Sequence, residues 1–174
     1  QKMIESQKNA APVYNPSKPP VYTAEQIYSM LPHDAPFKMI DKIIHYMQDK
    51  KPNFICLNFA NPDMLGHTGV YDAIVKAVEK VDQCLKSVVE IGLGLGYEFL
   101  VIADHGNADF ALNEDGSPNT AHSLNPVPII LVTKEKELKL SDGILADVAP
   151  TILDRLRLAA PIEMTGSTLV IKNQ

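Results

Sequence analysis

Tryptophan is absent from this chain of 174 residues, cysteine occurs twice, and aromatic residues make up only 6%. The two cysteines, Cys56 and Cys84, each sit inside an apolar run. Two are too few for a disulfide framework, so both read as buried, reduced thiols. No apolar run is as long as a membrane span, and no signal-peptide pattern opens the chain, so no membrane partner is expected and the cytoplasm is the expected compartment. Basic residues are in the minority: 16 Lys and Arg face 21 Asp and Glu, for a formal net charge of -5. No basic stripe stands out, which argues against nucleic acid as a partner. A convincing nucleophile is also lacking, because no serine sits at a strand-to-helix elbow beside an obvious base. Internal repeats are not visible. The first residue is Gln1 rather than methionine, which reads as processing or as a piece of a longer polypeptide.

What is present fits one globular domain with a real core, 45% hydrophobic and 21% charged. Proline is concentrated early: Pro12, Pro16, Pro19, Pro20, Pro32 and Pro36 fall between residues 9 and 36. Proline removes backbone donors, so residues 1–36 read as a proline-rich segment of loop or extended crossover, with a short strand ending at Met3-Ile4 and a helical turn or two within 24–30. Residues 37–174 then carry regular patterns. Met39, Ile40, Ile43, Ile44 and Met47 recur at helical spacing. Asn53–Ala60 reads as a strand buried on both faces. Tyr71–Ile91 is an amphipathic helix with Ile74, Val78, Val81, Leu85 and Val88 as its apolar stripe, ended by Gly92, Gly94 and Gly96. That glycine run follows a helix and precedes a strand, the reverse of a nucleotide-binding loop, so helix termination is the better account. Strands are expected at Tyr97–Ala103, Val127–Val132 and Thr168–Lys172, with a polar loop at 113–120 and a charged exposed connection at 134–139. Asp147 reads as the N-cap of a helix with Pro150 in its first turn, running to about Leu158. The alternation of strands and helices argues an α/β fold with a mostly parallel sheet flanked by helices.

The chemistry is concentrated in three short stretches: residues 61–67 (NPDMLGH), 103–107 (ADHGN) and 121–123 (AHS). They hold Asp63, His67, Asp104, His105 and His122, which include three of the five histidines in the chain. Carboxylate with neutral imidazole is a ligand set for manganese, zinc or iron rather than for calcium or magnesium. Two such ions close together can clamp a phosphoryl group. Each stretch is weak alone. An Asp and a His four residues apart also make an N-cap and a surface histidine, and neighbours such as Asp104 and His105 point to opposite faces of a strand. At a strand end, however, the chain turns, and Gly106 permits unusual dihedrals. The first two stretches each begin where a strand ends, the place where α/β sheets bind ligands. His33 and His45 have no such context and read as surface residues. The combined reading is a dinuclear phosphoryl-transfer site, of which this chain carries a part.

Taken jointly, Leu57–Gly69 (LNFANPDMLGHTG), Ile102–Ala108 (IADHGNA), Pro118–Pro128 (PNTAHSLNPVP), Leu145–Leu153 (LADVAPTIL) and Glu163–Leu169 (EMTGSTL) closely resemble the cofactor-independent phosphoglycerate mutases of the alkaline phosphatase superfamily. The resemblance covers residues 40–170. It implies an alkaline-phosphatase-like α/β fold, incomplete in this chain, with residues 37–174 forming the C-terminal part of the metal-binding phosphatase domain. It implies interconversion of 3-phosphoglycerate and 2-phosphoglycerate through a phosphoserine, with two manganese ions (Mn2+). By position, Asp63, His67 and His122 would bind one ion, and Asp104 and His105 would be two ligands of the other. The nucleophilic serine, a further aspartate and the transferase domain of the same polypeptide have no counterpart here, so the chain alone is expected to be inactive and monomeric. Asp109 stands where many members carry glutamate, and Asp109 and Asn107 are candidates to support the imidazoles. The rival readings are another superfamily enzyme, a phosphopentomutase or phosphatase, or a non-catalytic metal-binding module.

Overall fold

The computed structural model describes residues 35–171. The short strand at Met3-Ile4, the helical turn within 24–30, the bulk of the proline-rich segment and His33 lie outside the described residues. Helix α1, Ala35–Lys50, keeps the apolar spacing read from the sequence, burying Ile40 and Met47 while His45 stays on the surface. It packs along the C-terminal half of α3, Tyr71–Leu95. Ile40, Met47, Cys84 and Val88 form the centre of that contact, ringed by Ile55, Leu57, Phe59 and Phe99. Against the N-terminal half of α3 lies α2, the short helix Asn61–Gly66. There Leu65, Ala73, Ile74, Ala77 and Ala111 close a second apolar cluster. So α3 is the spine of the molecule: one half supports the α1 core and the other supports the floor of the site.

Helix α3 departs from the expected pattern in two ways. It continues through Gly92 and Gly94 and stops at Gly96, whose φ of 92° is the left-handed conformation that ends helices. Its buried face is Ala73, Ile74, Ala77, Cys84, Val88 and Gly92, while Val78 is exposed. At Gly92 a Cβ would lie 2.3 Å from Phe99 and 2.8 Å from Met47 of α1, so volume as well as hydrophobicity decides what fits there.

Asn53–Ala60 joins no ladder among the described residues, where a strand buried on both faces was expected. Only one side is covered: Ile55, Leu57 and Phe59 pack on the α1–α3 cluster, while Phe54 and Cys56 point outward. Cys56 is therefore an exposed thiol rather than a buried one, whereas Cys84 is buried and burial pushes its thiol pKa up. Both cysteines are free.

Strand β1, Phe99–Ile102, pairs with β2, Ile129–Val132, in an antiparallel register from Phe99 opposite Val132 to Ile102 opposite Ile129. Strands β3, Lys139–Leu140, and β4, Val170–Ile171, form a second antiparallel pair. The described residues thus form an α/β arrangement with small, incomplete sheets, and the ladders run opposite to the parallel pairing expected. The reason is the connection. The chain between β1 and β2 is a long loop with one 3-10 turn, Ala108–Phe110, and no crossover helix, so it returns beside β1 in the reverse direction.

Helix α4, Val148–Arg155, follows a 3-10 turn at Leu145–Asp147 and ends before the expected Leu158, where Arg157 takes a φ of 58°. Asp147 does not cap α4 through its side chain. Its carboxylate instead accepts the amides of Ile144 (2.9 Å) and Ser167 (2.8 Å), tying the start of α4 to the approach to β4. No described helix is long and apolar enough to cross a membrane.

Candidate metal centre

Each ligand-type side chain reaches the site for a local reason. Pro62 occupies the first turn of α2 and Asp63 follows it, so Asp63 and His67 lie one turn apart on the same face. Asp104 and His105 follow the end of β1, where the backbone leaves the ladder. His122 stands in a loop linked back to that turn, because the Ser123 amide donates to the Gly106 carbonyl at 2.9 Å. Gly106 serves here by its size: a Cβ would lie 2.1 Å from the Ser123 hydroxyl, and its φ is not positive. The expectation of unusual dihedrals is corrected to a requirement for close approach.

Three donor atoms converge. His67 Nε2 is 3.3 Å from Asp63 Oδ1, His122 Nε2 is 3.2 Å from the same oxygen, and the two Nε2 atoms are 3.3 Å apart. His105 stacks on His122 with ring centroids 3.7 Å apart and planes at 17°. Ligand atoms of Asp63, His105 and His122 also lie within 4.8 Å of one another, so His105 borders the same cluster. Asp104 joins only through His105, at 3.7 Å, and its side chain is 80% exposed at the rim.

The tautomer of His67 can be read from its partner. His67 Nδ1 lies 2.8 Å from the Thr120 carbonyl oxygen, which can only accept. Nδ1 therefore donates to Thr120, which leaves Nε2, the atom directed toward Asp63 and His122, as the one that would ligate a metal. Thr120 lies far from His67 in sequence, so no pattern around the histidine could reveal it.

Asn107 and Asp109, considered from the sequence as partners for imidazoles, hold other groups instead. The Asn107 amide donates to Asp63 Oδ1 at 2.9 Å. It is buried, and its own Oδ1 has no hydrogen-bond partner. Gly66 makes room for it, since a Cβ there would fall 1.7 Å from Asn107 Oδ1. The Asp109 carboxylate accepts from Asn125 at 2.7 Å and from the Ser123 hydroxyl at 2.9 Å. The Asn125 amide, more than any other contact, holds its carboxyl below the usual carboxylate range.

The arrangement fits a metal ion on its donor chemistry. Bonds of 2.0–2.2 Å to imidazole and carboxylate place neighbouring donor atoms roughly 3.0–3.6 Å apart, and the triangle of Asp63, His67 and His122 falls in that range. The same three side chains are each roughly half exposed, so a ligand can reach them from solvent.

Known proteins resemble this chain over most of its length. The chain is 54% identical over 143 residues to the 2,3-bisphosphoglycerate-independent phosphoglycerate mutase of Bacteroides fragilis, covering 82% of this chain and 28% of that protein. The protein of the same name from Parabacteroides distasonis is 55% identical over 143 residues, with the same coverage. A crystal structure of Leishmania mexicana phosphoglycerate mutase, at low cobalt concentration, superposes with a TM-score of 0.71 at 26% identity, covering 81% of this chain and 30% of that one. The chain thus spans under a third of the length of the relatives it matches. The model of the Metalloenzyme superfamily matches residues 21–160, most of the chain, and the protein belongs to that superfamily.

Proposed function

We propose that residues 37–174 are the metal-binding C-terminal part of the phosphatase domain of a cofactor-independent phosphoglycerate mutase, which interconverts 3-phosphoglycerate and 2-phosphoglycerate through a phosphoserine. The observation that carries this is the triangle of Asp63, His67 and His122, built from helix α2 with its C-cap and a loop distant in sequence, in a chain 54% identical to such enzymes. In this reading Asp63, His67 and His122 hold one manganese ion, and Asp104 and His105 contribute to a second. Bound ions would supply positive charge to the transferring phosphoryl oxygens and favour the ionised nucleophile.

The residues present divide the remaining work. His67 is held in its ligating tautomer by Thr120. Asp63 brings the negative charge that offsets an ion, and Asn107 orients it. Among the described residues, the Ser123 hydroxyl bonded into the cluster is committed to Asp109, so it is not offered as the nucleophile. In this reading the nucleophilic serine, together with most contacts to the phosphoglycerate, lies in the part of the whole enzyme that this chain, at 28% of the relative's length, does not span. The whole enzyme is read as a cytoplasmic monomer.

The test is an enolase-coupled assay with manganese and no added bisphosphoglycerate, run on the intact gene product and on this chain. Activity is expected in the intact product alone, and the isolated chain should bind one manganese ion. Turnover of ribose phosphates without phosphoglycerate would favour a phosphopentomutase. Metal binding without turnover in either protein would favour a phosphatase or a non-catalytic module.

A further inference from the structure

The loop that carries His122 has almost nothing apolar to hold it. Ala121, His122 and Asn125 are exposed, and Leu124 is fully so at 103%. Its position therefore rests on polar contacts: the Ser123 amide donates to the Gly106 carbonyl, the Asn119 side chain bonds Ala121, and the Ser123 and Asn125 side chains meet on one carboxylate. Asp109 Oδ2 accepts from Asn125 Nδ2 (2.7 Å) and Ser123 Oγ (2.9 Å), and Oδ1 lies 3.2 Å from the same hydroxyl. The approach is tight enough that a Cβ on Gly106 would meet both Ser123 Oγ at 2.1 Å and Asp109 Oδ1 at 2.7 Å. Residues on both sides of Leu124 are thus tied to the turn that bears His105, and His122, next to Ser123, is delivered onto the His105 ring. At the other end of the same turn, Asn107 holds Asp63.

We infer that Asp109 is a positioning residue for the metal centre: it sets the His105–His122 stack by clamping Ser123 and Asn125, and so places His122 Nε2 beside Asp63. This deepens the metal-binding reading and rests on it. A carboxylate suits the task because its charged Oδ2 accepts from Asn125 and Ser123 at once, and bonds to a charged acceptor are stronger than those to a neutral amide oxygen.

The experiment uses the full chain, manganese alone as probe, and the variants Asp109→Asn, Asp109→Glu and Asn125→Ala. Free manganese is followed by electron paramagnetic resonance. The ring-proton shifts of His105 and His122 in the metal-free chain report the stack, with exposed His45 as internal reference. Asp109→Asn should weaken manganese binding by about tenfold or more and move the His105 and His122 shifts toward unstacked values. His67 should keep its shift, and Asp109→Glu should recover part of the affinity. Should Asp109→Asn fail to fold, Asn125→Ala, which removes the shortest contact from an exposed position, carries the same expectation. An unchanged stack in a folded variant overturns the inference, as does weakened binding with the stack intact. Absence of manganese binding in the wild-type chain would overturn the metal reading instead, and the ring shifts would still decide the role of Asp109.

Discussion

Thr151 is fully buried, and its hydroxyl makes two hydrogen bonds that a valine of similar shape cannot make. It donates to the Asp147 carbonyl at 2.7 Å and accepts the Leu169 amide at 2.9 Å, joining α4 to the approach to β4. Thr151→Val would leave the amide of buried Leu169 without a partner, so a loss of about 1–3 kcal/mol is expected in urea denaturation. Thr151→Ser keeps both bonds and should lose less. At this scale the residue types of the candidate cluster were legible in the sequence, although Asp104 stands at its rim. Asp63, His67, Asp104, His105 and His122 stand out because their chemistry is rare in so short a span and each lies beside a turn. The partners were not legible. Thr120 presents a backbone carbonyl, which no residue type announces, and Gly66 and Gly106 were needed for space that only the neighbouring loops define.

At the scale of elements, two glycines of one helix should respond in opposite directions. A Cβ on Gly92 would lie 2.3 Å from Phe99 Cζ and 2.8 Å from Met47 Cε, whereas one on Gly94 would meet nothing within 4 Å. Replacing a helical glycine by alanine gains about 0.5–1 kcal/mol from the backbone. Overpacking a core costs about 1–3 kcal/mol, so the clash should win at Gly92. Gly92→Ala is expected to lower the melting temperature and Gly94→Ala to raise it, both read by thermal unfolding. The sequence alone cannot separate the two, because it shows glycines near a helix end and not which of them faces Phe99. The same blindness accounts for Val78, apolar by type yet turned outward, and for Asn53–Ala60, strand-like by composition yet covered on one side.

For the molecule as a whole, one ion-pair network joins the second half of the chain. Arg155 of α4 donates from Nε and Nη2 to Glu98 at 2.8 and 2.7 Å, and Nη2 also reaches Glu135 at 3.0 Å. Thr133, just after β2, donates to Glu98 as well. The Arg155 hydrogen bonds, chief among these contacts, hold the Glu98 carboxyl below its ordinary value and raise that of the guanidinium. A carboxyl lowered in the folded state contributes stability that is full above its unfolded pKa, about 4.3, and is lost as the pH falls through the lower folded value. Melting temperature should therefore drop on acidification below about pH 4.3, and Glu98→Gln should remove part of that slope while leaving the neutral-pH site untouched. By itself the sequence determined that helices would form near residues 37–48, 71–91 and 147–158, and which side chains are of a type suited to a metal, because periodicity, turn residues and ligand chemistry are local. Only the tertiary structure decided the antiparallel return of β2 and the tautomer of His67. It alone also decided the clamp of Asp109 on the loop of His122. Each of these depends on groups far apart in the chain, whose meeting is fixed by packing against α3 and by the long loop between β1 and β2.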